Sequence, residues 1–81
     1  MALTGDQVRM ARAALKWTVQ ELAGQAAVSK NTVVAVEGGG EAHAATMAAI
    51  ETALRKGGVE FIDENGGGVG VRLAKRRGTP R

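Results

Sequence analysis

Cysteine is missing from the chain, which excludes a disulfide framework and any thiolate metal site, zinc fingers among them. Stability must then come from packing or oligomerisation, and a reducing cytoplasm is compatible. Aromatics are reduced to Trp17 and Phe61, too few for a protein that grips single strands by stacking their bases. No apolar run approaches the roughly 20 residues that span a bilayer, and the start MALTGDQVRM lacks the basic opening and apolar stretch of a signal peptide. A soluble, cytoplasmic protein with no membrane partner is expected. The glycine runs at 38–40 and 66–68 lack the following Lys-Ser/Thr of a phosphate loop, and no Ser/His/Asp or metal-ligand spacing stands out. Neither catalysis, a cofactor nor a metal is expected, and the glycines read as helix stops and turns.

What remains is 81 residues, room for one small domain with a thin core. The net charge of +3 is unevenly spread: residues 1–71 carry six Lys/Arg against eight Asp/Glu, whereas residues 72–81 carry five basic groups and no acid. A basic end of this kind suits a polyanionic partner, because clustered Lys/Arg releases condensed counterions from nucleic acid, and it is equally the composition of a solubilising tail.

Three helix starts share one local design. Thr4 reads as an N-cap with Gln7 completing a capping box and Leu3 stapled to Val8; Thr18, Glu21, Trp17 and Leu22 repeat it; Ser29, with Val28 against Val33, gives the cap and staple again without the reciprocal acid. These predict helix one to about Leu15, helix two to about Gln25 and helix three from Lys30 to about Glu37. Val33, Val34 and Val36 favour a strand by propensity, at a few tenths of a kcal/mol each, but the cap, the staple and the Gly38-Gly39-Gly40 stop outweigh them. Met47, Ile50 and Leu54 at helical spacing, with Arg55 and Lys56 before Gly57-Gly58, predict helix four over about Thr46 to Lys56, Glu41 to Ala45 being a connector.

After Gly58 the period changes. Val59–Asp63 and Val69–Leu73 alternate around Glu64-Asn65-Gly66-Gly67-Gly68, a β-hairpin pattern. An isolated hairpin is marginal in water, so Val69, Val71 and Leu73 on one face need cover from the helices, a second subunit, or both. Residues 75–81 show no periodicity and are expected to be disordered in isolation. The expected organisation is a helical domain at 1–58, a hairpin at 59–74 that is a candidate dimerisation element, and a basic tail at 75–81.

Only about Ala26 to Ser29 separates helices two and three, the tight connection of a helix-turn-helix unit. Here the chain resembles the Xre or lambda-repressor-like family of DNA-binding domains. The resemblance covers residues 4–56 and centres on WTVQELAGQAAVSKNTVVAVEGG, with Thr18, Glu21, Leu22, Ala23, Ala26, Val28, Ser29, Thr32, Glu37 and Gly39 at shared positions. It implies a mainly α, four-helix fold followed here by the hairpin and basic tail, with helix three entering the major groove. It also implies a structural salt bridge between Arg12 and Glu37. Two positions depart from the family pattern: Val19 stands where a phosphate-contacting Gln is common, and Ala27 replaces the turn Gly, suggesting a turn that does not demand positive φ.

At 100° per residue, helix three turns Val33 and Val36 inward and leaves Lys30, Asn31, Val34 and Ala35 outward. Asn31 can pair with adenine N6/N7, Lys30 can reach guanine or a phosphate, and Val34 and Ala35 can touch thymine methyls; an ordinary solvated face, or a protein-binding patch at Val34 and Ala35, uses the same residues. Ser29 caps whatever else it does, and its hydroxyl near the helix start is also a candidate phosphate contact. Thr32 is either a buried structural hydroxyl or a DNA contact, and Thr18 and Gln20 are candidate phosphate contacts. His43 is either simply solvated or a phosphate contact, and Lys75, Arg76 and Arg77 are further candidates for phosphate. The implied function is sequence-specific binding of double-stranded DNA by a homodimer on an inverted repeat, as a small repressor. The alternatives are an antitoxin binding both operator and toxin, and an adaptor that binds another protein such as an activator.

Overall fold

A computed structural model describes residues 3–74. It contains four helices, α1 (Gly5–Leu15), α2 (Val19–Ala26), α3 (Lys30–Glu37) and α4 (Ala44–Gly57), followed by a two-stranded antiparallel sheet of β1 (Val59–Ile62) and β2 (Gly70–Leu73). The mainly helical architecture with a terminal hairpin is as expected, while three local features differ from the sequence reading.

Side-chain caps set the first three helix starts. Thr4 accepts a hydrogen bond from the Gln7 backbone N–H and its own N–H donates to the Gln7 side chain, a complete capping box; Thr18 and Glu21 form a second. Ser29 accepts from the Thr32 N–H, without a reciprocal partner. Each satisfies a donor that a helix N-terminus leaves open, for about 1 kcal/mol per cap.

The helix ends bring the first correction. Ala27 adopts a left-handed conformation, φ 58°, ψ 42°, with its N–H directed to Ala23 and Gly24 carbonyls; the turn does take positive φ, and alanine bears the strain. Such a conformation costs a non-glycine residue on the order of 1 kcal/mol. It is held because the next residue, Val28, donates to the Ala23 carbonyl at 3.0 Å and packs on the core.

The second correction is at α4, which begins at Ala44, with His43 as its N-cap in extended conformation. Two alanines carry no periodic signal, yet alanine is the best helix former, so the helix extends back through them. Third, β2 starts at Gly70 and leaves Val69 outside the ladder. The preceding Gly68 sits at φ 88°, where the turn has not yet returned to extended geometry.

One core joins every layer. Val8, Leu22, Val33, Ile50 and Leu54 are inaccessible to solvent and Val59 from β1 is nearly so, with Trp17, Phe61 and Val71 packed against them. Burying side chains of this kind stabilises by roughly 1.5–3 kcal/mol each, and their i, i+3 helical spacing puts Val33 and Val36 of α3 on that side. At Gly5, α1 crosses α3 so closely that a Cβ would lie 2.2 Å from the Val36 carbonyl oxygen.

The hairpin belongs to this core. Register pairs Val59 with Leu73 and Phe61 with Val71 on one face, and Glu60 with Arg72 and Ile62 with Gly70 on the other. Gln7 is fully buried, and the Nε2 group of its side chain donates to the Ile62 carbonyl at 3.1 Å and the Gly70 carbonyl at 3.0 Å. The same amide group accepts from Thr4 N–H through Oε1 at 3.1 Å. No helix among the described residues is long and apolar enough to cross a membrane.

Candidate functional site

α3 divides its side chains cleanly. Val33, Val36 and Glu37 are buried, whereas Lys30, Asn31 and Ala35 are exposed and Val34 is 52% exposed. Residues three and four apart share a helix face, so Lys30 and Asn31 on the first turn stand over Val34 and Ala35 on the second. The row offers one cation, one carboxamide that donates and accepts, and two small apolar groups.

Behind this row α3 is fastened to α1. Arg12 meets the Glu37 carboxylate in a two-pronged pair, Nε to Oε2 at 2.7 Å and Nη2 to Oε1 at 3.0 Å, while its Nη1 donates to the Trp17 carbonyl at 3.1 Å. Bidentate geometry of this kind fixes orientation as well as distance. The hydrogen bond to Glu37 raises the Arg12 guanidinium above the ordinary arginine range, against the opposing pull of partial burial. Arg9 adds a contact that sequence spacing does not show: its Nη1 donates to the Glu37 backbone carbonyl at 2.8 Å, and it also pairs with Asp6. A cation at the last carbonyls of a helix is favourably placed for the helix dipole.

The remaining expected residues fall at the edges of the row. Thr32 is half-buried, and the Ser29 and Thr32 hydroxyls bond to each other at 2.8 Å, so the Thr32 hydroxyl already has a partner within the cap. Thr18 is exposed with its hydroxyl engaged by Glu21 N–H at 3.0 Å, and Gln20 is exposed beside it at the start of α2. His43 is exposed and makes no side-chain capping bond. It borders a shallow groove of about 210 Å³ with Thr32, Ala35, Glu41 and Thr46, so the start of α4 meets the outward side of α3. Lys75, Arg76 and Arg77 lie outside the described residues.

Charge on this face is sparse. The four described arginines are each committed to an acid, Arg9 to Asp6, Arg12 to Glu37, Arg55 to Glu51 and Arg72 to Glu60. Lys30 makes no ion pair among the described residues, and Glu41 sets one negative charge into the neighbouring groove. Three or more His, Cys, Asp or Glu positioned to hold a metal do not occur among the described residues. No protein-family model and no curated protein matches the chain.

Proposed function

We propose that this chain is a lambda-repressor-like, sequence-specific binder of double-stranded DNA, in which α2, the turn at Ala27 and α3 form a helix-turn-helix unit and α3 reads the major groove. The observation that carries the reading is the division of α3: an outward, exposed row of Lys30, Asn31, Val34 and Ala35, on a helix whose other side is pinned by Arg12, Arg9 and the core. Recognition by a short helix demands rigid backing and a free polar face. Asn31 matches the donor–acceptor edge of adenine, Lys30 a guanine edge or a phosphate, and Val34 with Ala35 the methyl of thymine.

Ser29, Thr32, Thr18 and Gln20 are the candidates for backbone phosphates passing the starts of α2 and α3, with His43 at the start of α4; the cap bonds of Ser29, Thr32 and Thr18 present fixed hydroxyls rather than free rotors. The basic residues of 75–81 add attraction without sequence preference. One such unit covers only a few base pairs, so the protein acts as a homodimer on an inverted repeat and represses by occupancy, without catalysis or cofactor. Whether it also neutralises a toxin is decided by a partner outside this chain.

A second reading has its own support. The described part of the chain contains Lys/Arg and Asp/Glu in near balance, little attraction for a polyanion, and Val34 exposes an apolar side chain that an adaptor would use on a protein partner. Selection of bound duplexes from a random pool separates the two. The DNA reading expects an enriched inverted repeat with half-sites about one helical turn apart, lost in Lys30→Ala plus Asn31→Ala while the melting curve is unchanged. If no duplex is enriched, the DNA reading fails and the adaptor stands.

A further inference from the structure

Among the described residues the exposed large hydrophobics are Met10, Val34, Val69 and Leu73, the last 60% exposed. Two of these four bracket one strand, β2. The ladder fixes which way that strand's backbone faces. Ala74 N–H donates to the Gly58 carbonyl at 2.7 Å, and one Gln7 amide reaches both the Ile62 and Gly70 carbonyls, so those two carbonyls converge between the strands. With hydrogen-bonded pairs alternating along an antiparallel ladder, Gly70, Arg72 and Ala74 spend their backbone groups on β1. Val69, Val71 and Leu73 therefore direct theirs to the other edge, which no described strand pairs.

We propose that the open edge of β2 pairs antiparallel with β2 of a second copy of this chain, on a two-fold axis at Val71, making one continuous four-stranded sheet. This gives the homodimer assumed above a definite partner surface, and it stands whether or not the chain binds DNA.

The register follows from self-complementarity, because a two-fold interface must match a patch to itself. Centred on Val71, the pairing sets Val71 against its own copy, Val69 against Leu73 of the second copy, and Gly70 against Arg72 of the second copy. Both exposed apolar side chains are covered at once, in two symmetry-related places. Each Arg72, already held by Glu60 at 2.8 Å, meets a glycine rather than a like charge, and Gly70 leaves room for that ion pair. A pairing centred on Arg72 would oppose two arginines, which destabilises.

The other edge, β1, is a poorer match. The equivalent pairing centred on Phe61 would bury Asp63 against Val59. Native proteins blunt free edges with charge, proline, bulges or shortness; β2 is short and carries Arg72, but that charge is held by Glu60, and Val69, Val71 and Leu73, whose backbone groups face outward, are all uncharged.

The test reads oligomeric state by sedimentation equilibrium on the full chain, with no DNA present, so its outcome is separable from that of the duplex selection. The wild-type chain is expected to be dimeric. Val69→Lys and Leu73→Glu, each at an exposed position outside the core, are expected to raise the dimer dissociation constant by about tenfold or more with an unchanged circular dichroism spectrum, since every substitution acts twice across the two-fold. The double variant Val69→Lys plus Leu73→Glu restores the dimer, because this register alone sets the two new charges against each other between copies. A monomeric wild-type chain, single variants that dimerise normally, or a double variant weaker than either single one would each overturn the proposal.

Discussion

The inner and outer sides of α3 are built by opposite rules. Behind the helix, Val33 and Val36 are closed off from solvent, Glu37 is clasped by Arg12 and its carbonyl by Arg9, and the α1 backbone approaches so closely that Gly5 admits no side chain. In front, Lys30, Asn31, Val34 and Ala35 are exposed, and their side chains form no hydrogen bond or ion pair among the described residues. The difference teaches that the placement of α3 and the side chains it presents to solvent are separately encoded over eight residues. Changes behind the helix move the whole outward face, while changes in front alter only what that face presents.

The largest break in this contrast comes from Glu37→Ala. It strands a partly buried guanidinium and frees α3 from α1, and the expected loss is about 3 kcal/mol, at the low end for a broken buried pair because Arg12 retains some solvent contact. A urea unfolding midpoint measures it, and any partner binding through α3 is lost in parallel. Gly5→Ala comes next: a methyl facing the Val36 carbonyl forces α1 and α3 apart, for about 2 kcal/mol of destabilisation in the same assay.

Of opposite sign is Ala27→Gly, which relieves the left-handed alanine between α2 and α3. Stability should rise by about 0.5–1 kcal/mol, the relief of strain being partly offset by the greater freedom of glycine in the unfolded chain. The smallest effect belongs to the front. Lys30→Ala plus Asn31→Ala should leave the unfolding midpoint within about 0.5 kcal/mol of wild type; a larger drop would mean that the outer row also supports the fold.

The parts of this arrangement differ in how plainly the sequence carries them. Caps are local, and Thr4 with Gln7, Thr18 with Glu21, and Ser29 ahead of a valine run announce three helices within four residues each. The glycine stop after Glu37 likewise overrode the strand propensity of Val33, Val34 and Val36. The Arg12–Glu37 pair spans 25 residues and came from family resemblance, since spacing alone has no reason to join them. Ala27 misled because composition argues against a left-handed alanine, and only the closing bonds to Ala23 and Gly24 hold it there. His43 as an N-cap was hidden by its lack of a side-chain capping bond, and by two alanines with no periodic pattern. For the outer row, the sequence conveyed which residues face outward; the sparse charge around Lys30 emerged only once each arginine was seen paired with its acid.

One side chain ties the beginning of the described fold to its end. The Gln7 amide closes the capping box of α1 on one side and holds carbonyls of both hairpin strands on the other. Fraying of the first helical turn and opening of the hairpin are thereby made a single event. Amide hydrogens at Gln7 and along β1 should exchange together, as one cooperative unit of opening rather than as two loose ends. A small protein whose hairpin lay outside the α1 contacts would shed it first; here β2 is secured by a residue in the first turn of α1, so the helical body and the sheet edge persist or open together.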